Sequence, residues 1–283
     1  MIYFLTFKQH RYTVSLFIDY TKTKNIKVVG YEDLDLKLFK AHDTVVFSDI
    51  DRCNDPKLET LKHLYDQIVT IGCKILNNPH KVMRRFELVN ELSKLKYNCF
   101  RLYRPQEADV KLIKYPVFLR DEFEHSGPST ELIQDQEELK VSFENIEDEG
   151  IVITEFVDTS VDSLFHKFGA FIIDGEIIPR HYFVSDKWNV KSSSSITEES
   201  IRNEISYLET NPDKELIQKI ASIAHIDYGR IDYAFFGQQI IVFEINTNPT
   251  LIDRWDIIED DLRFPVTTQF IDSLTTKINS MTL

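Results

Sequence analysis

Cysteine is scarce in this chain: three residues among 283, Cys53, Cys73 and Cys99. Odd in number and widely separated, they form neither a disulfide framework nor the paired spacing of a zinc site, so reduced and mostly buried thiols are expected. Long hydrophobic runs are also missing. No apolar stretch approaches the roughly 18 residues that cross a bilayer, and the opening MIYFLTFKQHRY becomes charged too soon for a secretory signal, which predicts a cytoplasmic protein. Positive charge is in deficit, with 33 Lys and Arg against 46 Asp and Glu and a net charge of −13. That balance excludes broad binding to nucleic acid or to an anionic membrane, since both need a basic footprint. A small anionic ligand stays possible, because a few local cations override the global field. There is no internal repeat, and no low-complexity tract beyond the serine run at 192–195. What is present, 42% hydrophobic and 28% charged residues in a chain of this length, suits a soluble enzyme of one large domain or two to three small lobes.

The most informative stretch lies near the end, where GRIDYAFF (229–236) leads into VFEINTNPT (242–250). Both segments read as strands by their Ile, Tyr, Phe and Val content, joined by a short Gly-Gln-Gln turn at 237–239. Alternation along a strand puts Glu244 and Asn246 on one face. Two antiparallel strands could then aim Asp232, Glu244 and Asn246 at one point. Two carboxylates and a carboxamide oxygen are costly to gather unless a hard cation neutralises them, and magnesium carrying nucleotide phosphates is the usual one. The plainer alternative is a pair of solvated acids on an ordinary hairpin.

Along the chain, the segment to about Pro79 reads as strand TVVFSDI (44–50), helix PKLETLKHLYDQIVTIG and strand CKILN, a small α/β lobe. A helix from about His80 to Tyr97 follows. After it come strand PVFLR, the polar loop DEFEHSGPS, a helix near 134–144, and strands GIVITEFV, FGAFIID and EIIPRHYFV, the last two joined by an Asp-Gly turn at 174–175. Two helices, near 197–209 and 213–224, precede GRIDY. Pro265 opens a last amphipathic helix with Val266, Phe270, Leu274 and Ile278 four residues apart.

GRIDY, a hairpin and then E-x-N-x-N-P resembles the metal-binding end of the ATP-grasp superfamily, the enzymes typified by D-alanine:D-alanine ligase. The resemblance is specific over about twenty residues and extends weakly over the whole chain through the order of its elements. It implies an α/β (α+β) fold with an N-terminal pre-grasp lobe at 1–79 and an ATP-grasp domain at 80–283. That domain would divide into a small β-rich central lobe at about 98–157 and a C-terminal α/β lobe at about 158–283.

By the same resemblance Asp232, Glu244 and Asn246 would be magnesium ligands, with Glu244 bridging two ions. Arg230, on the face of Asp232, would reach a transferring phosphoryl or acyl phosphate oxygen, or else hold Asp232 in a salt bridge. Two lysines usually reach the phosphates in this superfamily. Here Arg120 stands at the matching position on the central lobe's first strand, a departure, and Lys81, Arg84 or Arg85 would supply the one just ahead of that lobe, Arg85 with the best spacing. The loop around His125, Ser126 and Gly127 would fold over the phosphates, with His125 itself read as a solvated turn residue. Glu155 and Val157 would present backbone groups to adenine, Asp158 or Asp162 would take the ribose hydroxyls, and Lys167, Arg180 and Lys191 would line the cleft. His181 and Trp188 read as packing, Asn248, Pro249 and Thr250 as a loop near the acceptor, and SDIDR (48–52) as a turn that could touch substrate.

The function this implies is an ATP- and magnesium-dependent ligase that activates a carboxylate as an acyl phosphate and joins it to an amine, with ATP and a small molecule or peptide as partners. Two rivals share the fold: a kinase that phosphorylates a hydroxyl, and a catalytically silent nucleotide-binding interaction protein. The departure at Arg120 and the sparse glycine favour the last, whereas the retained metal constellation opposes it.

Overall fold

The computed structural model describes residues 1–109, 111–144, 150–194, 196–258 and 263–281. The first lobe is a parallel sheet with strand order β2-β1-β3-β4, made of β1 (Ile2–Thr6), β2 (Ile26–Gly30), β3 (Thr44–Phe47) and β4 (Lys74–Leu76). Helices α1 (Tyr12–Thr21) and α2 (Asp55–Val69) lie in its connections. β1 is buried at every position, as a strand covered on both faces must be. Such an unbroken run carries no alternation to mark β1; the sequence pattern showed two strands here and the structure has four. Asn54 caps α2 by accepting the Lys57 N–H at 3.3 Å, and Pro56 occupies its first turn.

Helix α3 (Arg85–Lys94) starts five residues later than the pattern suggested. Asn78 accepts the N–H groups of Lys81 and Val82 in a turn, and Arg84 is extended. A second, antiparallel sheet of order β5-β7-β6 comprises β5 (Leu102–Tyr103), β6 (Val117–Asp121) and β7 (Ile151–Glu155). Helix α4 (Gln136–Glu144) covers it through Leu139, which packs with Val117, Leu119 and Ile153.

The third sheet, of order β10-β9-β11-β12, is antiparallel. It contains β8 (Ser160–Val161, paired only with β9), β9 (Leu164–Ile173), β10 (Glu176–Ser185), β11 (Tyr228–Phe236) and β12 (Gln239–Asn246). Asp174 and Gly175 both have positive φ in the turn between β9 and β10, as a two-residue hairpin requires. The turn between β11 and β12 is Gly237–Gln238, with Gln239 already in the strand.

Helices α5 (Glu198–Thr210) and α6 (Lys214–Ala224) pack Tyr207, Ile217 and Ile220 against Ile231 and Tyr233 on one face of this sheet. On the other face, Phe171 and Tyr228 join Phe4 and Phe17 of the first lobe and Phe270 and Leu274 of α7 (Phe264–Asn279) in one cluster. The sheet is thus built onto the first lobe. Asn77, fully buried and left-handed at φ 63°, fastens the joint: its Nδ2 donates to Phe47 O and Tyr228 O, and its Oδ1 accepts from Asp227 N and Tyr228 N, all within 3.0 Å. Among the described residues no helix is long and apolar enough to cross a membrane.

Candidate active site

The face of the third sheet turned toward the first lobe carries the polar constellation. Pairing sets Arg230 opposite Asn246 and Asp232 opposite Glu244. One residue further on, Tyr233 pairs with Val242, so Phe243 is an extra residue in β12. A bulge of this kind re-aims the side chains beside it. Continued without the bulge, the register would set Phe243 opposite Asp232; the inserted residue gives that place to Glu244. Asn98 holds the bulge from behind, accepting the Val242 N–H at 2.8 Å and donating to Val242 O at 3.0 Å.

Cations converge on the two carboxylates. Arg230 donates from Nε and an NH2 group to the two oxygens of Asp232, at 2.8 and 3.3 Å, and Lys167 Nζ lies 3.4 Å from Asp232. Arg85 donates to Glu244 from two nitrogens and to the carbonyls of Asp121, Glu122 and Glu124, so it ties the loop after β6 to the hairpin. Arg120 on β6 donates to Glu244 at 3.4 Å. His125 stands between two acids, its Nε2 2.5 Å from Asp51 Oδ2 and its Nδ1 3.4 Å from Glu244 Oε1.

Burial alone would raise the Glu244 carboxyl, but Arg85, His125 and Arg120 hold it well below the usual range. Burial works against the imidazolium of His125, and the two flanking carboxylates more than offset it, raising its pKa. Asp51, whose other oxygen accepts from the Thr247 N–H and hydroxyl, is likewise disfavoured by burial yet lowered to about 2, chiefly by His125.

Beyond these charges the cleft continues into an apolar slot. Phe100, Leu102, Val157, Ile241 and Phe243 line it, and Trp188 closes it against Phe118 and Phe156, with ring centroids 5.0 and 5.7 Å away. Lys191 Nζ donates to Ser126 O at 2.6 Å and packs over Gly127, whose φ of 101° suits glycine. The cleft therefore has an aromatic end, a cationic middle and an acidic hairpin.

No protein-family model matches this chain. Solved structures do: an ATP complex of D-alanine--D-alanine ligase from Bacillus anthracis superposes with TM-score 0.57 at 12% identity over 99% of this chain and 96% of that one. A RimK domain protein ATP-grasp from Sphaerobacter thermophilus superposes with TM-score 0.52 at 12% identity, covering 98% and 100%. The chain has the ATP-grasp fold. A curated protein of Methanocaldococcus jannaschii, coenzyme gamma-F420-2:alpha-L-glutamate ligase, is 25% identical over 191 residues. The match spans 63% of this chain and 63% of that relative.

Within the ATP-grasp fold the residues singled out in the sequence fall into two groups. Arg85, Arg120, Glu155, Val157, Lys167, Lys191, Asp232 and Glu244 line one cleft. Glu155 does so with its carboxylate turned away, accepting from Arg101 N, Tyr103 Oη and Lys114 N. Asp158 and Asp162 lie in turns outside the lining, Asp158 accepting the Ser160 N–H. Arg180 is also outside it, paired with Asp253 and Asp256 and stacked on Phe270, because a bulge in β10 redirects it. Lys81 lies in a different depression, and Arg84 ties Cys53 O to Asp55 and Glu87.

His125 is a correction: far from being a solvated turn residue, it is mostly buried between Asp51 and Glu244. Trp188 also does more than pack, since it forms a wall of the slot. Of the cysteines, Cys53 is buried while Cys73 and Cys99 are partly exposed. His181 is buried, its ring lying over Gly169, and burial followed by Arg230, Lys167 and Arg180 keeps it neutral. Asp51 and Thr247 were missed as individuals, since nothing in SDIDR or NTNPT marks them as partners across 196 residues.

The donor set fits the groups this fold would bind. Asp232 and Glu244 offer carboxylate oxygens to the cleft, whereas Asn246 lies outside its lining with Oδ1 accepting the Asn248 N–H at 2.7 Å; among the described residues no three His, Cys, Asp or Glu side chains make a metal site by themselves. Two carboxylates completed by phosphate oxygens are what magnesium takes. Arg120 fits a phosphate: its Nε is buried without a partner, and burial, then Arg85, lower its pKa to about 10. A guanidinium so placed is short of negative charge.

Proposed function

We propose that the protein is an ATP-dependent ligase that activates a carboxylate as an acyl phosphate and passes the acyl group to an amine. The observation that carries this reading is the pairing of Asp232 with Glu244 inside a ring of Arg85, Arg120, Lys167 and Arg230, at the end of a slot with an aromatic wall. The slot takes adenine by stacking and through the backbone of Glu155 and Val157. Arg120, Lys167 and Lys191 hold the phosphates, and the bidentate guanidinium of Arg230 steadies the oxygens of the transferring phosphoryl group. Asp232 and Glu244 would hold magnesium, which would supply charge neutralisation when bound. Lys191 keeps the loop at Ser126 and Gly127 over the phosphates and excludes water.

The matched relative is named for an alpha-L-glutamate ligation, which makes an α-amino acid the first class of acceptor to try here. Phosphate release from ATP, followed across carboxylates with hydroxylamine as nucleophile, tests the reaction class. A hydroxamate supports the acyl phosphate. ADP formation on a hydroxyl compound without any hydroxamate would instead support the kinase on the same fold.

A further inference from the structure

One polar cluster takes no part in the nucleotide site. At the carboxyl ends of β1 and β3, Asp49 is fully buried with a left-handed backbone, φ 57°, a conformation unfavourable for a residue with a side chain. Its carboxylate accepts from Thr6 Oγ1 at 2.5 Å, from the Phe7 N–H at 2.8 Å and from His10 Nδ1 at 3.0 Å, with Arg52 Nε at 3.5 Å. A carboxylate only accepts, so this bond places the ring proton on Nδ1 and leaves a lone pair on Nε2 of the neutral ring. That nitrogen faces the exposed amide of Gln9 at 3.2 Å, a contact that an incoming group can replace.

The cluster is wired to the hairpin that carries Glu244. Asn248 donates its N–H to Asn246 Oδ1 at 2.7 Å and its Nδ2 to Thr6 Oγ1 at 2.7 Å. The single hydroxyl proton of Thr13 is shared between Asn248 Oδ1 at 2.8 Å and His10 O at 2.9 Å. Arg52 reaches Glu124 at 3.4 Å on the loop that covers the phosphates. The other charges near His10 are engaged elsewhere: Lys8 and Arg11 pair with Asp33, Glu32 accepts the Lys8 N–H, and Lys57 lies over the Phe7 ring. His10 and its carboxylate thus sit where the first lobe, the phosphate loop and the loop after β12 meet, outside the lining of the nucleotide cleft. The carboxyl ends of parallel strands are where α/β sheets receive ligands.

We propose that His10 is the general base for the incoming amine and that Asp49 positions it; the inference rests on the ligase reading above. The nitrogen lone pair of the amine forms the C–N bond to the acyl carbon. A proton on that nitrogen passes to His10 Nε2, and the C–O bond to phosphate breaks with its electron pair leaving on inorganic phosphate. Nothing else is consumed.

The test uses His10→Gln and the full chain with MgATP, N-acetyl-L-glutamate as carboxylate, and either L-glutamate or hydroxylamine as nucleophile. Hydroxylamine is a strong, weakly basic nucleophile that needs little help from a base. The expected result is amide formation lowered about 100-fold, the scale of a lost general base, with hydroxamate formation within about twofold of wild type and the imidazole limb gone from the pH profile of amide formation. Equal loss of both products, or of neither, would overturn the proposal. A wild type that gives no hydroxamate with this or any other carboxylate of the series above contradicts the acyl phosphate instead. His10 is then judged by imidazole nitrogen NMR of the free protein. A proton on Nδ1 that shifts toward Nε2 in Asp49→Asn supports the dyad, and a proton on Nε2 in the wild type overturns it.

Discussion

His125 Nε2 lies 2.5 Å from Asp51 Oδ2, a bond between residues 74 apart that joins the loop after β6 to the first lobe. Because Asp51 also accepts from Thr247, one carboxylate ties the first lobe, the loop after β6 and the loop after β12 together beside Glu244.

The pH dependence of folding should report this bond. The Asp51 carboxyl is depressed from 3.8 to about 2. Its contribution is therefore present above pH 3.8 and lost as pH falls through about 2. Asp51→Asn should remove about 2 kcal/mol of acid-sensitive stability. Urea unfolding at a series of pH values checks this, and an unchanged acid limb would refute the assignment.

Arg120→Ala should separate binding from stability. Its guanidinium is buried beside Arg85 with Nε unpartnered, so removing it should leave the melting temperature level or raise it slightly. Affinity for MgATP should fall about tenfold or more, the loss of a charge-assisted bond to phosphate. Calorimetric titration beside a thermal melt distinguishes the two effects.

How far the sequence revealed the site depended on the range of each interaction. The meeting of Asp232 with Glu244 was legible because they lie in one hairpin, where alternation and spacing govern which side chains meet, whereas Asn246 pairs opposite Arg230 and gives its Oδ1 to the Asn248 N–H. Even there the extra residue at Phe243 left no mark, since a bulge is set by pairing and not by composition. Lys167 and Arg180 looked equivalent on neighbouring strands, yet the bulge in β10 sends Arg180 to Asp256 and Phe270. The role of His125 depended on Asp51, and no local pattern links them. The first lobe was half legible: its strand β1 is buried at every position and carries no alternation for a periodicity to show.

Asn77→Ala should be among the most damaging substitutions away from the cleft. It strands two backbone N–H donors and two carbonyls at the joint between the first lobe and β11. A cost of about 2–4 kcal/mol follows from leaving buried groups unpaired. Chemical denaturation should show it as a lower midpoint with an unchanged slope.

Gly169→Ala should disturb the floor of the site through His181. A Cβ there would lie 2.4 Å from His181 Nε2, forcing the ring off β9. Overpacking of this kind costs about 1–3 kcal/mol. Gly169→Ala combined with His181→Ala should recover most of that loss, as a double-mutant cycle would show.

Calorimetric titration of ATP, with magnesium and with EDTA, into the wild type and into Glu244→Gln bears on the whole of the proposed nucleotide site. The wild type should bind only with the metal, and the variant, which keeps the side-chain shape and loses the charge, should lose that dependence and most of the affinity. A well-folded wild type that binds no nucleotide, or a variant that binds MgATP as well as the wild type, would contradict the reading.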